Sequence, residues 1–325
     1  MQTFFAGELL MRLECEALNC FEQADHFKVR YTGAEANAAI AMAKLGAKNV
    51  FLISAVPDNP LGRACLGEIC KHGVHTNLVL RGPATGRLGL FFLETGYGMR
   101  PSQVVYDRRD SVFSQMPASA YDFEKIFQNQ EKSWLHISGT LPALSENCLD
   151  LTMKIINAAK SFGITVSFDL NYRAALWSKS EAEKIFKIIT TQCDVLIANA
   201  GVAEDFLDTP ENELCSAFDI QYDALSRRIE SDASSGSFGA SLYCLDGSVY
   251  HAPVRSFPVL DRVGGGDAFA GGMIFALQQD WEDSYRINFA AACGVLKHFY
   301  RGDFTFANQE DVSAVINNKD LNIRR

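Results

Sequence analysis

An α/β fold is what this 325-residue sequence predicts: a mostly parallel central sheet with helices on both faces, and a second, small β-sheet beside it. Three observations predict it. Short apolar runs alternate with longer stretches of helical pattern, the order expected of parallel strands joined by helices. Two segments break that alternation by being strand-rich with no helix inside them. The length suits one large domain with a small appendage.

In chain order, "MQTFFAGELLMRLE" reads as a first strand, since Glu8 and Arg12 interrupt an apolar run that carries no basic leader, and the expected compartment is the cytoplasm. "GAEANAAIAMAKLG" (33–46) and "LGRACLGEICKHG" (61–73) read as helices that stop at glycine, and "NVFLISAV" (49–56) between them as a buried strand. Further strands are "SWLHISG" (133–139), "GITVSFDLN" (163–171) and "CDVLIAN" (193–199). The helices between these, "SENCLDLTMKIINAAKSFG" (145–163) and "SEAEKIFKIITTQ" (180–192), each open on serine with an acidic residue close behind, as a cap requires. "SDASSGSFGA" (231–240) reads as a mobile loop. The strand-rich segments, 9–32 and 86–109, form either a lid sheet over the carboxyl ends of the strands or a pair of edge hairpins. The main body is then 1–8, 33–85 and 110–325.

Hydrophobic and charged fractions of 48% and 21% are those of an ordinary globular protein, and no apolar run is long enough to span a membrane. A net charge of −9 argues against a nucleic-acid surface but leaves room for a small anionic substrate met by a few convergent arginines. The nine cysteines read as reduced core thiols, because Cys15 with Cys20 and Cys65 with Cys70 lack the histidines that would complete a zinc site.

The stretch that carries chemistry is "LDRVGGGDAFAGGM" (260–273). Gly264, Gly265 and Gly266 let the backbone turn sharply, and the helix behind them offers free N–H groups and a partial positive charge to an anion such as phosphate. Asp267, in the first turn, is either a capping residue or a carboxylate placed to take a proton from a hydroxyl attacking a phosphoryl group. No glycine is followed by lysine and no G-x-G-x-x-G is present, so other phosphate loops are excluded.

"DRVGGGDAFAGG" resembles the C-terminal signature of the ribokinase-like (PfkB) sugar kinases, and "YTGAEANAAIAMAKLGAKNVFLISAVPDNPLGR" (31–63) resembles their N-terminal one. "RPSQVVYDRRDSVFS", "HISGTLPALS", "SFDLNYRAALW", "LKHFYRGDF" and a C-terminal arginine are similar to the 2-keto-3-deoxygluconate kinase branch, over nearly the whole chain from Gly7 to Arg325. The resemblance implies a ribokinase-like fold whose lid covers the sugar, with ATP, Mg2+ and a monovalent cation as cofactors and no dedicated metal ligands assigned. It implies substrate contacts from Gly33, Ala34, Glu35, Asn37, Phe91, Tyr106, Arg108, Arg173 and Asp303. Arg108 and Arg173 would meet the substrate carboxylate. Asp267 would be the base, the backbone of Gly264 to Asp267 the anion hole, and Asn171, Asn199, Arg228, Gly264, Gly266 and His298 the nucleotide contacts. Phe91 stands where the branch has tyrosine, and Val202 where the family has a glutamate near the phosphates; Glu204, Asp205 or water are the substitutes. Fructose or keto-deoxy-galactonate is the nearer alternative substrate, a non-catalytic sugar-binding protein the remoter reading, and pairing of lid sheets makes a homodimer the expected state.

Overall fold

A computed structural model describes residues 1–128 and 132–317; Arg325 and the "C-terminal arginine" of the resemblance lie outside the described residues. The strands are β1 (Thr3–Ala6), β2 (Leu10–Cys15), β3 (Phe27–Thr32), β4 (Val50–Pro57), β5 (Val79–Gly82), β6 (Gly89–Glu94), β7 (Gln103–Asp107), β8 (Trp134–Ser138), β9 (Thr165–Asp169), β10 (Val195–Asn199), β11 (Tyr222–Asp232), β12 (Ser235–Cys244) and β13 (Val249–Pro258). Nine of them form one sheet in the order β13-β12-β11-β10-β9-β8-β1-β4-β5, parallel from β5 to β11 and antiparallel across β12 and β13.

Alternation along β1 shows how the layers arise. Phe4 and Phe5 point to opposite faces and each joins a separate core. Helices Ala34–Lys44, Gly265–Leu277 and Asp283–Lys297 cover one face, and Glu146–Ser161, Lys179–Thr190 and Ala200–Leu207 the other. Helix Glu146–Ser161 starts at Ser145 as expected, but the next begins ahead of the expected 180: Ser178 caps it, in a capping box with Glu181. Seven cysteines are buried, whereas Cys20 is part-exposed and Cys70 exposed, so those two are not core thiols.

The stretch 231–240 is not a loop. It is the end of β11, a hairpin turn and the start of β12, an inner strand bonded to β11 on one side and β13 on the other. The hairpin tip meets the β6–β7 turn, where Gly98 N donates to Ser234 Oγ (2.8 Å) and Ala233 N to Gly98 O (2.8 Å).

The first apolar run holds two strands in different sheets, because the chain leaves the main sheet after Ala6. β2 enters a second sheet of order β3-β2-β6-β7, in which β2 and β6 are parallel and the outer pairs antiparallel. Its inner face is tied to the main body by a charge. Arg12, wholly buried, reaches Asp303 (3.0 Å), Asp261 (2.9 Å) and Glu14 (3.2 Å), and Glu14 also takes Arg30 (3.0 Å). Removing one member of such a group leaves buried charge behind, so Arg12→Leu is expected to cost about 3–5 kcal/mol in urea unfolding; a loss under about 1 kcal/mol would show that the group holds nothing.

Candidate active site

A cleft of about 320 Å3 lies at the carboxyl ends of the main strands, between them and the second sheet. In open parallel sheets this is the position at which ligands bind. β9, β10 and β11 deliver Asp169, Asn199 and Arg228 to its floor, with Asn171 and Arg173 just beyond β9. The second sheet supplies Phe91 and Tyr106, and Arg108 follows β7. Gly33, Ala34 and Asn37 come from the start of helix Ala34–Lys44, and Gly264, Gly265, Gly266 and Asp267 from the start of helix Gly265–Leu277.

Asp267 is held from the side. Asn37 Nδ2 donates to its Oδ2 (2.7 Å), and Thr32 Oγ1 donates to Asn37 Oδ1 (2.8 Å), which fixes the amide's orientation. The two residues meet because their helices almost touch: a Cβ on Gly271 would sit 2.3 Å from Ala38 O. That explains the small residues of "DAFAGG" and "ANAAIA". Burial pushes the Asp267 carboxyl above its ordinary value, against the pull of the Asn37 hydrogen bond and of Arg173. Gly264 has a φ of +89°, and its added Cβ would lie 2.0 Å from Asp303 O. No side chain caps this helix, so its leading N–H groups face the cleft.

The two expected carboxylate-binding arginines differ. Arg108 is already paired: Nε donates to Glu8 Oε2 (2.8 Å), Ser111 Oγ donates to Glu8 Oε1 (2.5 Å), and the guanidinium lies 5.9 Å from the Tyr106 ring centre. Arg173 donates to Tyr172 O (3.0 Å) and makes no ion pair among the described residues. Phe91 packs against Tyr106 at 6.1 Å between ring centres. Asp303 lines the cleft with Oδ1 on Arg12, while its buried Oδ2 has no hydrogen-bond partner among the described residues.

Two expected contacts do not line the cleft. Glu35 is buried behind it, accepting from Ser138 Oγ (2.6 Å), and burial raises its carboxyl to about 7. His298 sits beneath the glycine turn, its Nδ1 2.8 Å from Gly294 O and its Cε1 2.5 Å from where a Gly265 Cβ would be. Burial depresses its pKa to about 4. Val202 lines the cleft, but Glu204 and Asp205 are exposed and outside it, with Asp205 paired to Lys179 (3.2 Å); neither substitutes for the missing glutamate. Thr32, Asp169 and Arg262 are lining residues that the sequence reading did not single out. Asp169 ends a strand the sequence did mark and lies inside "SFDLNYRAALW", where nothing set it apart from its neighbours; burial, with Asp267 next, raises it to about 7.

A carboxylate at an uncapped glycine-led helix start, in a cleft ringed by arginines, is the equipment of a small-molecule phosphotransferase. The chain belongs to the pfkB family of carbohydrate kinases, whose sequence model matches residues 3–309, and it is an ATP-dependent sugar kinase. It is 31% identical over 98% of both chains to a 2-dehydro-3-deoxygalactonokinase of Haloferax volcanii, and 27% identical to a 2-dehydro-3-deoxygluconokinase of Bacillus subtilis over 91% of this chain and 89% of that one. The crystal structure of 2-dehydro-3-deoxygluconokinase from Thermotoga maritima superposes with a TM-score of 0.92, at 33% identity, over 98% of this chain and 99% of that one. The ribokinase-like fold is therefore established.

The glycines of the turn are not equivalent. Gly264→Ala is expected to lower stability by about 1–3 kcal/mol in urea unfolding through strain and collision with Asp303 O. Gly266→Ala, with open space where its methyl would go, is expected to fold within about 1 kcal/mol of the parent. Equal losses would contradict this account.

Proposed function

We propose that this kinase phosphorylates the terminal hydroxyl of 2-keto-3-deoxygluconate. The observation that carries the reading is one cleft holding both Asp267, fixed by Asn37, and Arg173, a guanidinium with no ion pair among the described residues. A sugar acid presents a hydroxyl that must lose a proton and a carboxylate that must be neutralised, and these two groups meet both demands. Arg108, its charge already balanced by Glu8, orients the acid; Tyr106 and the unpartnered Asp303 Oδ2 contact its hydroxyls.

Asp267 accepts the hydroxyl proton as the oxygen attacks the γ-phosphorus of ATP in line, and the backbone of Gly264 to Asp267 receives the charge that develops on the transferring group. Asn171, Asn199 and Arg228 serve the nucleotide end. Magnesium belongs to the nucleotide substrate, where it takes phosphate oxygens and water. The second sheet acts as the lid that excludes water, with boundaries at 9–32 and 86–109. The galactonate epimer is the second reading, favoured by the name of the Haloferax relative.

The outward face of the lid supports a homodimer. Register aligns Val29, Leu13, Phe92 and Val105 in one row across all four strands, and Val29 and Val105 are 50% and 53% exposed. Val29→Lys with Val105→Lys is expected to halve the mass measured by light scattering; an unchanged mass would refute this interface.

A coupled ADP-release assay with both keto-deoxy acids and fructose tests the substrate, and turnover on fructose alone would overturn the reading. Asp267→Asn is expected to lower kcat by about 10²–10⁴ with KM much less changed. Because a base works deprotonated and burial raises this one, activity is expected to fall as pH drops through an apparent pKa above the ordinary aspartate value. Asn37→Ala removes a bond that favours the ionised form, so the acid limb moves to higher pH; an unmoved limb would assign it to another group.

A further inference from the structure

The helix Asp283–Lys297 ends on a lysine that no part of the proposed chemistry uses. Lys297 is wholly buried. Its ammonium donates to Asp261 O (3.0 Å) and Tyr300 O (3.2 Å) and lies 3.9 Å from Asp261 Oδ1. Two main-chain carbonyls and a carboxylate in a buried pocket are the oxygen donors a monovalent cation takes, and here a covalent ammonium already holds them. The helix C-terminus adds its own partial negative charge.

The lysine stands between two loops that build the anion site. One, 259–264, leads into the glycine turn; the other, 298–304, carries Asp303. Leu260 N donates to His298 O (2.9 Å), Gly302 N to Asp261 Oδ2 (2.9 Å) and Val263 N to Asp261 Oδ1 (3.1 Å). Arg12, Arg30 and Lys297 face Glu14, Asp261 and Asp303, so each carboxylate of the group already has a cation. The residues present do not fit an added monovalent cation at this place.

We propose that Lys297 is a positioning residue that serves as the glycine turn's built-in monovalent cation, so that the enzyme needs no potassium or sodium ion there. This rests on the kinase reading but not on the identity of the sugar, since turnover is followed on whichever sugar of the panel the enzyme accepts. For the wild type, kcat and Tm are measured in potassium, sodium and tetramethylammonium chloride at equal ionic strength, and both are expected to be insensitive to the cation. Activation by potassium of about tenfold or more over tetramethylammonium would overturn the proposal. Lys297→Ala is expected to lower kcat by roughly 10- to 100-fold through a displaced turn, with kcat and Tm partly restored by potassium, ammonium or methylammonium and not by tetramethylammonium. A folded variant with wild-type kcat, or one equally indifferent to every cation, would refute it. If Lys297→Ala does not fold, the wild-type comparison decides alone.

Discussion

The buried guanidinium of Arg12 is the constraint on which the rest of the site depends. It belongs to the second sheet, yet its partners are Asp261, on the loop that leads into the glycine turn, and Asp303, whose main-chain oxygen lies against Gly264. Replacing the entire group by apolar residues would change net stability little, because desolvation offsets most of the attraction. Its worth is positional. A planar fork with two fixed carboxylate partners sets the angle between the sheet that covers the cleft and the turn at its floor.

Around that anchor, charge is sorted by depth. Burial alone would lift Asp261, but Arg12, Lys297 and the N–H groups of Gly302 and Val263 hold it down, whereas burial lifts Asp303 in spite of its bond to Arg12. Asp169 and Asp267, both in the cleft, are lifted by burial first, and Asp169 also by the charge of Asp267. A site that collects negative groups in this way destabilises its own ionised state and is poised to accept a proton. Arg173 counters both, so on the proposed reading a substrate carboxylate that engages Arg173 removes some of that counterweight and raises the proton affinity of Asp267.

Much of the fold was legible because its strands are short, β-branched and bounded by turn residues, as "NVFLISAV" and "CDVLIAN" show. The glycine turn with Asp267 read alone only as a helix start, and it became a candidate site through its company, "YTGAEAN" at one end and "LNYR" with "YDRR" between. What the sequence did not disclose depends on neighbours distant in the chain. β12 draws its register from strands on both sides, so its serines and glycines look like a loop when read alone. Glu35 and His298 carry the right residue types at motif positions, but their side-chain directions are set by Ser138 and by Gly265 and Gly294. Arg12 and Lys297 had no local signal at all, since a buried cation is recognisable only once its acceptors are assembled around it.

The contact between Gly98 and Ala233–Ser234 joins two hairpin tips that the chain makes independently, one from the covering sheet and one from the main sheet. Each hairpin is a lever rooted at the opposite side of the cleft. Locked together at their ends they behave as an arch and not as two cantilevers, so parting the two sheets on that side means breaking one bond from a peptide N–H to a serine hydroxyl and one between two peptides.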